Sequence, residues 1–229
     1  MTRLQLGLDL AEAITVAARQ LHETTTPHAT LDTAVRLAVH LLPGAEHAGI
    51  SEIERGESRR TVAWTDDIVR AAQTPDLEHW ERLWTTPVVR TGDGDPDGLE
   101  DAEATGPSQE SLSGPGLRSV LSLRLRADRR RITVLSAYSR KPDAFGETAT
   151  RLGRLLTTHV SLALNSVTVR EQLTEAMHTR DLIGQATGIL MERLDIDAAA
   201  AFESLVRASQ RENVKLRDLA RRIVGATEN

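Results

Sequence analysis

Apolar positions recur along this chain with two different periods, and the alternation between them marks out its regions. Over Leu4–His22, Leu6, Leu10, Ala13, Ile14, Ala17 and Leu21 recur at three- and four-residue steps, the spacing of one face of a helix. Ala29–Leu42 repeats that pattern, and Pro43-Gly44 ends it. His47–Glu54 (HAGISEIE) alternates instead, as a half-buried strand does, and Arg60–Thr65 is a second short strand-like run. Ile68–Thr85 reads as helix around Leu77, Trp80, Leu83 and Trp84, and Val88–Arg90 as a short strand. Thr91–Pro115 is rich in Gly, Asp, Pro, Ser and Glu with few apolar residues, which predicts a surface loop. Ser119–Leu125 (SVLSLRL) and Ile132–Tyr138 (ITVLSAY) alternate again, and the basic turn ADRRR between them predicts a hairpin.

Pro142–Gly146 leads into a long helix beginning near Glu147. In it Leu155, Leu162, Val169, Ala176, Ile183 and Leu190 are spaced by seven, a coiled-coil-like stripe. The intervening positions His159, Ser166, Leu173, Arg180 and Thr187 are mostly polar, so a zipper here is short, parallel and modest. Packing against the helices of the preceding region explains the same stripe, and both readings stay open. Asp195-Ile196-Asp197 then signals a helix start, with acids where the helix dipole is positive. Ala198–Arg211 follows with Phe202, Leu205, Val206 and Ser209 on its packed face; Asn213 caps or breaks it. Val214–Val224 packs Leu216, Leu219, Ala220, Ile223 and Val224. Three short helices around one small core are expected at this end.

Within that end, Arg180–Arg193 reads RDLIGQATGILMER. Gly184 and Gly188 lie four residues apart in the middle of a helix, where each glycine costs about 1 kcal/mol against alanine. Such a cost points to close approach of another backbone or a ligand at that face.

The C-terminal text resembles the ANTAR family, the small helical RNA-binding domain of transcription antitermination regulators. The resemblance rests on Arg180, Ile183, Ala186, Gly188, Ile189, Leu190 and Met191, then Ala201-Phe202, Leu205, Ala208-Ser209, Leu216 and Ala220, in order and with family-like spacing. Many members carry a lysine between the Ala and Gly of the first helix, where this chain has Thr187. Upstream, the segment from Gly116 to Leu164 resembles the closing half of a GAF domain. The likeness lies in its glycine-led strand, its hairpin, its tyrosine-serine end and the Pro-x-x-Phe entry to a terminal helix. GAF domains are sensory and dimerising modules. The bilin-attaching cysteine and an NKFDE-type cyclic-nucleotide signature are both missing, so a ligand there is unnamed.

Together these readings give an α+β chain: a GAF-like sensor domain over 1–165 with an antiparallel sheet and flanking helices, a shared coiled-coil helix over 147–180, and a three-helix ANTAR domain over 170–229. The resemblance implies a homodimer that binds paired hairpins in nascent RNA. It assigns hairpin contact to Arg180, Gln185, Thr187, Gly188, Arg193, Arg207, Ser209, Arg211, Lys215 and Arg217, with Ala186, Ala201, Ala208 and Ala220 allowing tight helix packing.

Charge narrows this further. The 229 residues carry a net charge of -5, so a nucleic-acid surface must be local. From Leu205 to Gly225, Arg207, Arg211, Lys215, Arg217, Arg221 and Arg222 face only Glu212 and Asp218, an excess of four positive charges. Charge alone favours a solvated helix face; the resemblance reverses that preference. Phe202 is the one aromatic in this region and the helix pattern buries it, so recognition is expected to rest on arginine, polar groups and backbone approach rather than on aromatic stacking.

The remaining chemistry is mostly exclusion. With no cysteines there is no disulfide or thiolate site. No apolar run approaches the roughly 18 residues of a membrane span, and the N-terminus has no signal-like apolar core, so a cytoplasmic location is expected. Asp93-x-Asp95-x-Asp97-Gly98 copies half of a calcium loop, but Ala104 stands where the bidentate glutamate belongs, so an acidic loop is expected and no metal or other cofactor. The seven histidines show no metal spacing, and there is no GxSxG, P-loop or GxGxxG motif, so no enzyme is read. Trp80 and Trp84, one turn apart, belong to the N-terminal core or line a sensory pocket. Two alternatives stand beside the RNA reading: a dimeric ligand sensor whose helical tail binds DNA, or one whose tail binds another protein.

Overall fold

A computed structural model describes residues 3–55, 59–71, 77–91 and 116–226, with 3–10, 77 and 78 described by backbone alone. The acidic calcium-like run at 93–104 lies outside the described residues. The chain divides into two compact units, 1–167 and 168–229.

The first unit is built on a five-stranded antiparallel sheet in the order β2-β1-β5-β4-β3. Its strands are β1 (His47–Glu54), β2 (Arg59–Trp64), β3 (Val88–Thr91), β4 (Ser119–Ala127) and β5 (Arg131–Ser139). The alternation read in the sequence sets their two faces. Ala48, Ile50, Leu121, Leu123, Leu135 and Ala137 point to one face and form a single core with α1 (Arg3–His22), α2 (Pro27–Leu41) and the start of α5 (Glu147–Leu194). Thr26 caps α2, accepting from the Ala29 amide at 3.2 Å ahead of Pro27 in the first turn. Gly44 ends the α2 connection with φ +90, and a Cβ there would lie 2.4 Å from the Ala144 carbonyl oxygen, so a side chain is excluded twice over.

The opposite face is covered by α3 (Asp67–Ala71) and α4 (Leu77–Thr85). Ile53, Val89, Ile132 and Val134 pack there against Trp80 and Leu83, while Val120 and Tyr138 pack with Val69 and Leu117. The single helix expected over Ile68–Thr85 is therefore two; Pro75, lacking an amide hydrogen, stands in the sequence between them.

The second unit holds the rest of α5, then α6 (Ala198–Glu212) and α7 (Leu216–Gly225). Asp197 caps α6 by accepting from the Ala200 amide at 2.8 Å. Asn213 closes it in the left-handed region at φ 53, a conformation asparagine tolerates better than most residues. Ala186, Leu205, Leu219 and Ala220 are fully or nearly fully buried, with Leu182, Ile183, Leu190, Ala208, Ile223 and Val224 around them.

The structure divides the stripe of seven-residue steps and corrects the expectation for Phe202. The stripe of seven-residue steps does not serve one purpose, because Ile183 and Leu190 belong to this three-helix core. Leu155 and Leu162 in the first unit, and Val169, Leu173 and Met177 in the second, are exposed. Phe202 is 44% exposed rather than buried. The packed face of α6 runs through Ala201, Leu205 and Ala208, and Phe202 is turned about 100° from it.

Candidate nucleic-acid interface

The second half of α5 places its residues by helical phase. Ala186 has no exposed surface and faces the core, so Arg180, Gln185, Gly184 and Gly188 point outward and are exposed. A Cβ built on Gly184 or Gly188 meets no atom within 4 Å. The close approach that two mid-helix glycines called for is thus not made by any of the described residues. Thr187 is half-buried, its hydroxyl donating to the Ile183 carbonyl at 2.7 Å. Arg193 is exposed at the end of the helix.

On α6, Arg207 and Arg211 are exposed, and Arg207 lies 3.5 Å from Glu203 one turn back. Ser209 is committed to the fold: its hydroxyl donates to the Val214 carbonyl at 2.6 Å, while its own carbonyl accepts from the Val214 amide. These two bonds set the angle of the α6–α7 turn. Lys215 occupies the N-cap of α7 and supplies no side-chain acceptor, so the positive end of that helix carries a further cation instead of a cap. Arg217 reaches Glu175 of α5 at 3.2 Å and its neighbour Asp218 at 3.6 Å.

Around the α6–α7 turn, Asn213, Val214, Lys215, Asp218, Arg221 and Arg222 line an open groove of about 770 Å³. Arg221 and Arg222 were absent from the residues assigned to hairpin contact, although their place in the basic excess was readable. Arg222 pairs with Glu212, and Arg221 lies 3.7 Å from Asp218. These pairs are exposed, where an ion pair contributes about 0–1 kcal/mol and can be exchanged for another anion.

In the first unit, a polar line crosses the second face of the sheet. The ring nitrogens of His79 lie 3.2 Å from the Thr91 hydroxyl and 2.9 Å from that of Ser122, which is 2.8 Å from the Ser136 hydroxyl. Burial, with Arg82 nearby, pushes the His79 imidazole down to about 4. Trp80 is buried and Trp84 half-buried, both packed on this sheet. Nearby, His47 lies 2.6 Å from Asp66, which lowers the Asp66 carboxyl against its partial burial. No group of acidic or histidine side chains among the described residues suits a metal ion.

Residues 24–165 match the GAF domain family, and residues 171–224 match the ANTAR domain. The chain belongs to the GAF family and carries an ANTAR domain. These are sensor and regulatory domains, and the arrangement of sheet, long helix and C-terminal helices is that of an α+β GAF–ANTAR protein.

Among solved structures the GAF–ANTAR chain is similar to a bacteriophytochrome of the photosynthetic bacterium R. palustris, at 13% identity and a TM-score of 0.59, covering 80% of this chain and 42% of that one. The phytochrome photosensory core module of Stigmatella aurantiaca matches at 14% identity and a TM-score of 0.60, covering 89% and 45%. The GAF domain of an Acinetobacter phosphoenolpyruvate-protein phosphotransferase matches at 16% and 0.50, covering 74% and 97%. The chain thus spans less than half the length of the two phytochrome structures, and at these identities the likeness is one of fold. No curated protein matches it. No helix among the described residues is long and apolar enough to cross a membrane.

Proposed function

We propose that this GAF–ANTAR chain is a cytoplasmic transcription antitermination regulator rather than an enzyme. Its ANTAR domain binds paired stem-loops in nascent RNA, as a homodimer and under control of the GAF domain, which takes an as yet unnamed small-molecule ligand. The observation that carries the reading is the ANTAR match over 171–224, within which a helix face bearing two glycines is open to solvent.

Contact is assigned to Arg180, Gln185, Thr187, Gly188, Arg193, Arg207, Arg211, Lys215 and Arg217, with Ser209 acting through the turn it closes. Arginine and lysine supply phosphate contacts, and arginine planes stack on splayed loop bases. Gly184 and Gly188 leave room for the RNA backbone to approach α5 closely. Two hairpins on one transcript suit a dimer, because linking two weak contacts raises the overall affinity without new ones.

The test is a titration against a paired-hairpin RNA, the same RNA with scrambled loops, and duplex DNA, at several salt concentrations. Loop-dependent RNA binding is expected. Equal and steeply salt-dependent binding to all three reduces the surface to a basic patch, and preference for duplex DNA selects the DNA-binding alternative.

A further inference from the structure

The ANTAR surface is not the only cationic one. At one end of the GAF sheet, the described residues of 52–60 and 124–131 carry eight arginines against three acids, in a chain whose net charge is -5. The turn ADRRR brings three of these arginines to the tip of the β4–β5 hairpin. Two things shape that tip. A register shift between Arg124 and Arg126 breaks the regular pairing of β4 with β5 just before the turn. The Asp128 carboxylate then accepts the amides of Arg130 and Arg131, each at 2.8 Å. Asp128 is thereby spent on the backbone of the turn, and those bonds hold its carboxyl below its ordinary range.

The arginines fall into two groups. Arg131 pairs with Glu54 and lies 3.9 Å from Glu52, which also takes Arg60 at 2.8 Å. Arg124 donates to the Leu83 and Trp84 carbonyls at 3.0 and 2.9 Å, closing the end of α4. These are structural, as is Arg59, which donates to the Thr61 hydroxyl at 3.1 Å. Arg126, Arg129 and Arg130 are exposed, and none of them forms an ion pair with a described residue. Arg55 joins them, its amide donating to the Arg130 carbonyl at 2.8 Å and its guanidinium lying 5.3 Å over the Trp84 ring. Among the described residues the local carboxylates Glu52, Glu54 and Asp128 are already engaged, which leaves a basic tip beside an aromatic ring.

We infer that the β4–β5 hairpin tip of the GAF domain, through Arg126, Arg129 and Arg130 with Arg55 beside them, is a second RNA contact that grips phosphate without reading sequence. It rests on the RNA-binding reading above and adds to it a role for the sensor domain: affinity comes from both domains, loop discrimination from the ANTAR surface alone. Polyanion binding of this kind is salt-dependent, each neutralised phosphate contributing about 0.7–0.9 to the slope of log affinity against log salt.

The test is the full chain carrying Arg126→Gln, Arg129→Gln and Arg130→Gln together. The variant leaves Asp128, Arg131 and every backbone bond of the turn in place, and an unchanged melting temperature checks the fold. It is titrated against paired-hairpin RNA and its scrambled-loop form over a salt series, and against phosphatidylglycerol vesicles. The expected result is at least a roughly tenfold loss of affinity for both RNAs near 0.1 M salt, a slope reduced by about 2, and an unaltered ratio between them. Unchanged affinity and slope, with wild type still discriminating loops, overturns the second contact and leaves the antiterminator reading standing. Loss of vesicle binding with RNA binding intact overturns it in favour of a lipid surface. A wild type that binds neither RNA removes both readings.

Discussion

The Nε2 atom of His79 on α4 lies 2.9 Å from the Ser122 hydroxyl on β4, deep inside the GAF domain. Burial holds this imidazole neutral, with its folded value near 4 against 6.5 for the free side chain. Because the folded value is the lower one, the unfolded chain binds the proton first as pH falls. The contribution is therefore complete above about pH 6.5 and is lost progressively down to about pH 4, with a span of about 3 kcal/mol. Trp64, Trp80 and Trp84 all lie in this domain, so tryptophan fluorescence during denaturant unfolding reports it alone. The unfolding midpoint is expected to fall between pH 7 and pH 4.5, and His79→Gln to flatten that dependence. A His79→Gln variant with the wild-type slope assigns the acid sensitivity elsewhere.

Gly184 and Gly188 give a prediction in which stability and function move in opposite directions. Replacing both with alanine meets no steric obstacle and is expected to stabilise the ANTAR helices by about 1 kcal/mol per site. RNA affinity is expected to fall at least tenfold, since two methyl groups then stand where the RNA backbone approaches. Calorimetry and RNA titration of the same variant read the two effects. Higher stability with unaltered RNA affinity moves the contact off this face of α5.

The exposed apolar residues of α5 give a test of the proposed dimer. Leu162 is 62% exposed and Leu173 60%, so a charge at either costs the single chain little. Leu162→Glu and Leu173→Glu together are expected to convert a dimer to monomer in sedimentation, with no change in melting temperature measured in dilute solution. Affinity for the paired-hairpin RNA then falls by about 10²–10⁴, while affinity for a single hairpin is kept. Wild-type sedimentation of the double variant places the self-contact elsewhere on the chain.

Much of this was legible in the sequence, and what was not has a common cause. Period alone found β1, the β4–β5 pair and α6, because each buries one face and alternates at its own step. The split into α3 and α4 was hidden because Leu77, Trp80 and Leu83 keep a helical spacing that extends the pattern back across Pro75. Phe202 was misplaced because the alanines beside it carry little hydrophobic signal, yet Ala201 and not the ring holds the buried position. The line from Thr91 through His79 and Ser122 to Ser136 joins four elements spread over 58 residues, so no local pattern reports it. The arginine-rich turn was visible, whereas its neighbour Arg55 reaches it only through the sheet.

Glu175 and Arg217 form an ion pair within the proposed RNA-contact surface. The pair spans 3.2 Å between α5 and α7, and both side chains are substantially exposed, so its loss changes stability by less than about 1 kcal/mol. Under the proposed RNA-binding function its effect on RNA is larger in kind, because the carboxylate would compete with phosphate for the same guanidinium. Glu175→Gln is expected to raise RNA affinity severalfold at low salt, where the removed negative charge is least screened, with the gain shrinking as salt rises. Arg217→Gln is expected to lower affinity and to reduce the salt slope by about one. In the double variant the benefit of Glu175→Gln should mostly vanish, because the cation it released is gone. A Glu175→Gln gain that persists in full without Arg217 makes the carboxylate a general repulsive charge and removes Arg217 from the contact surface.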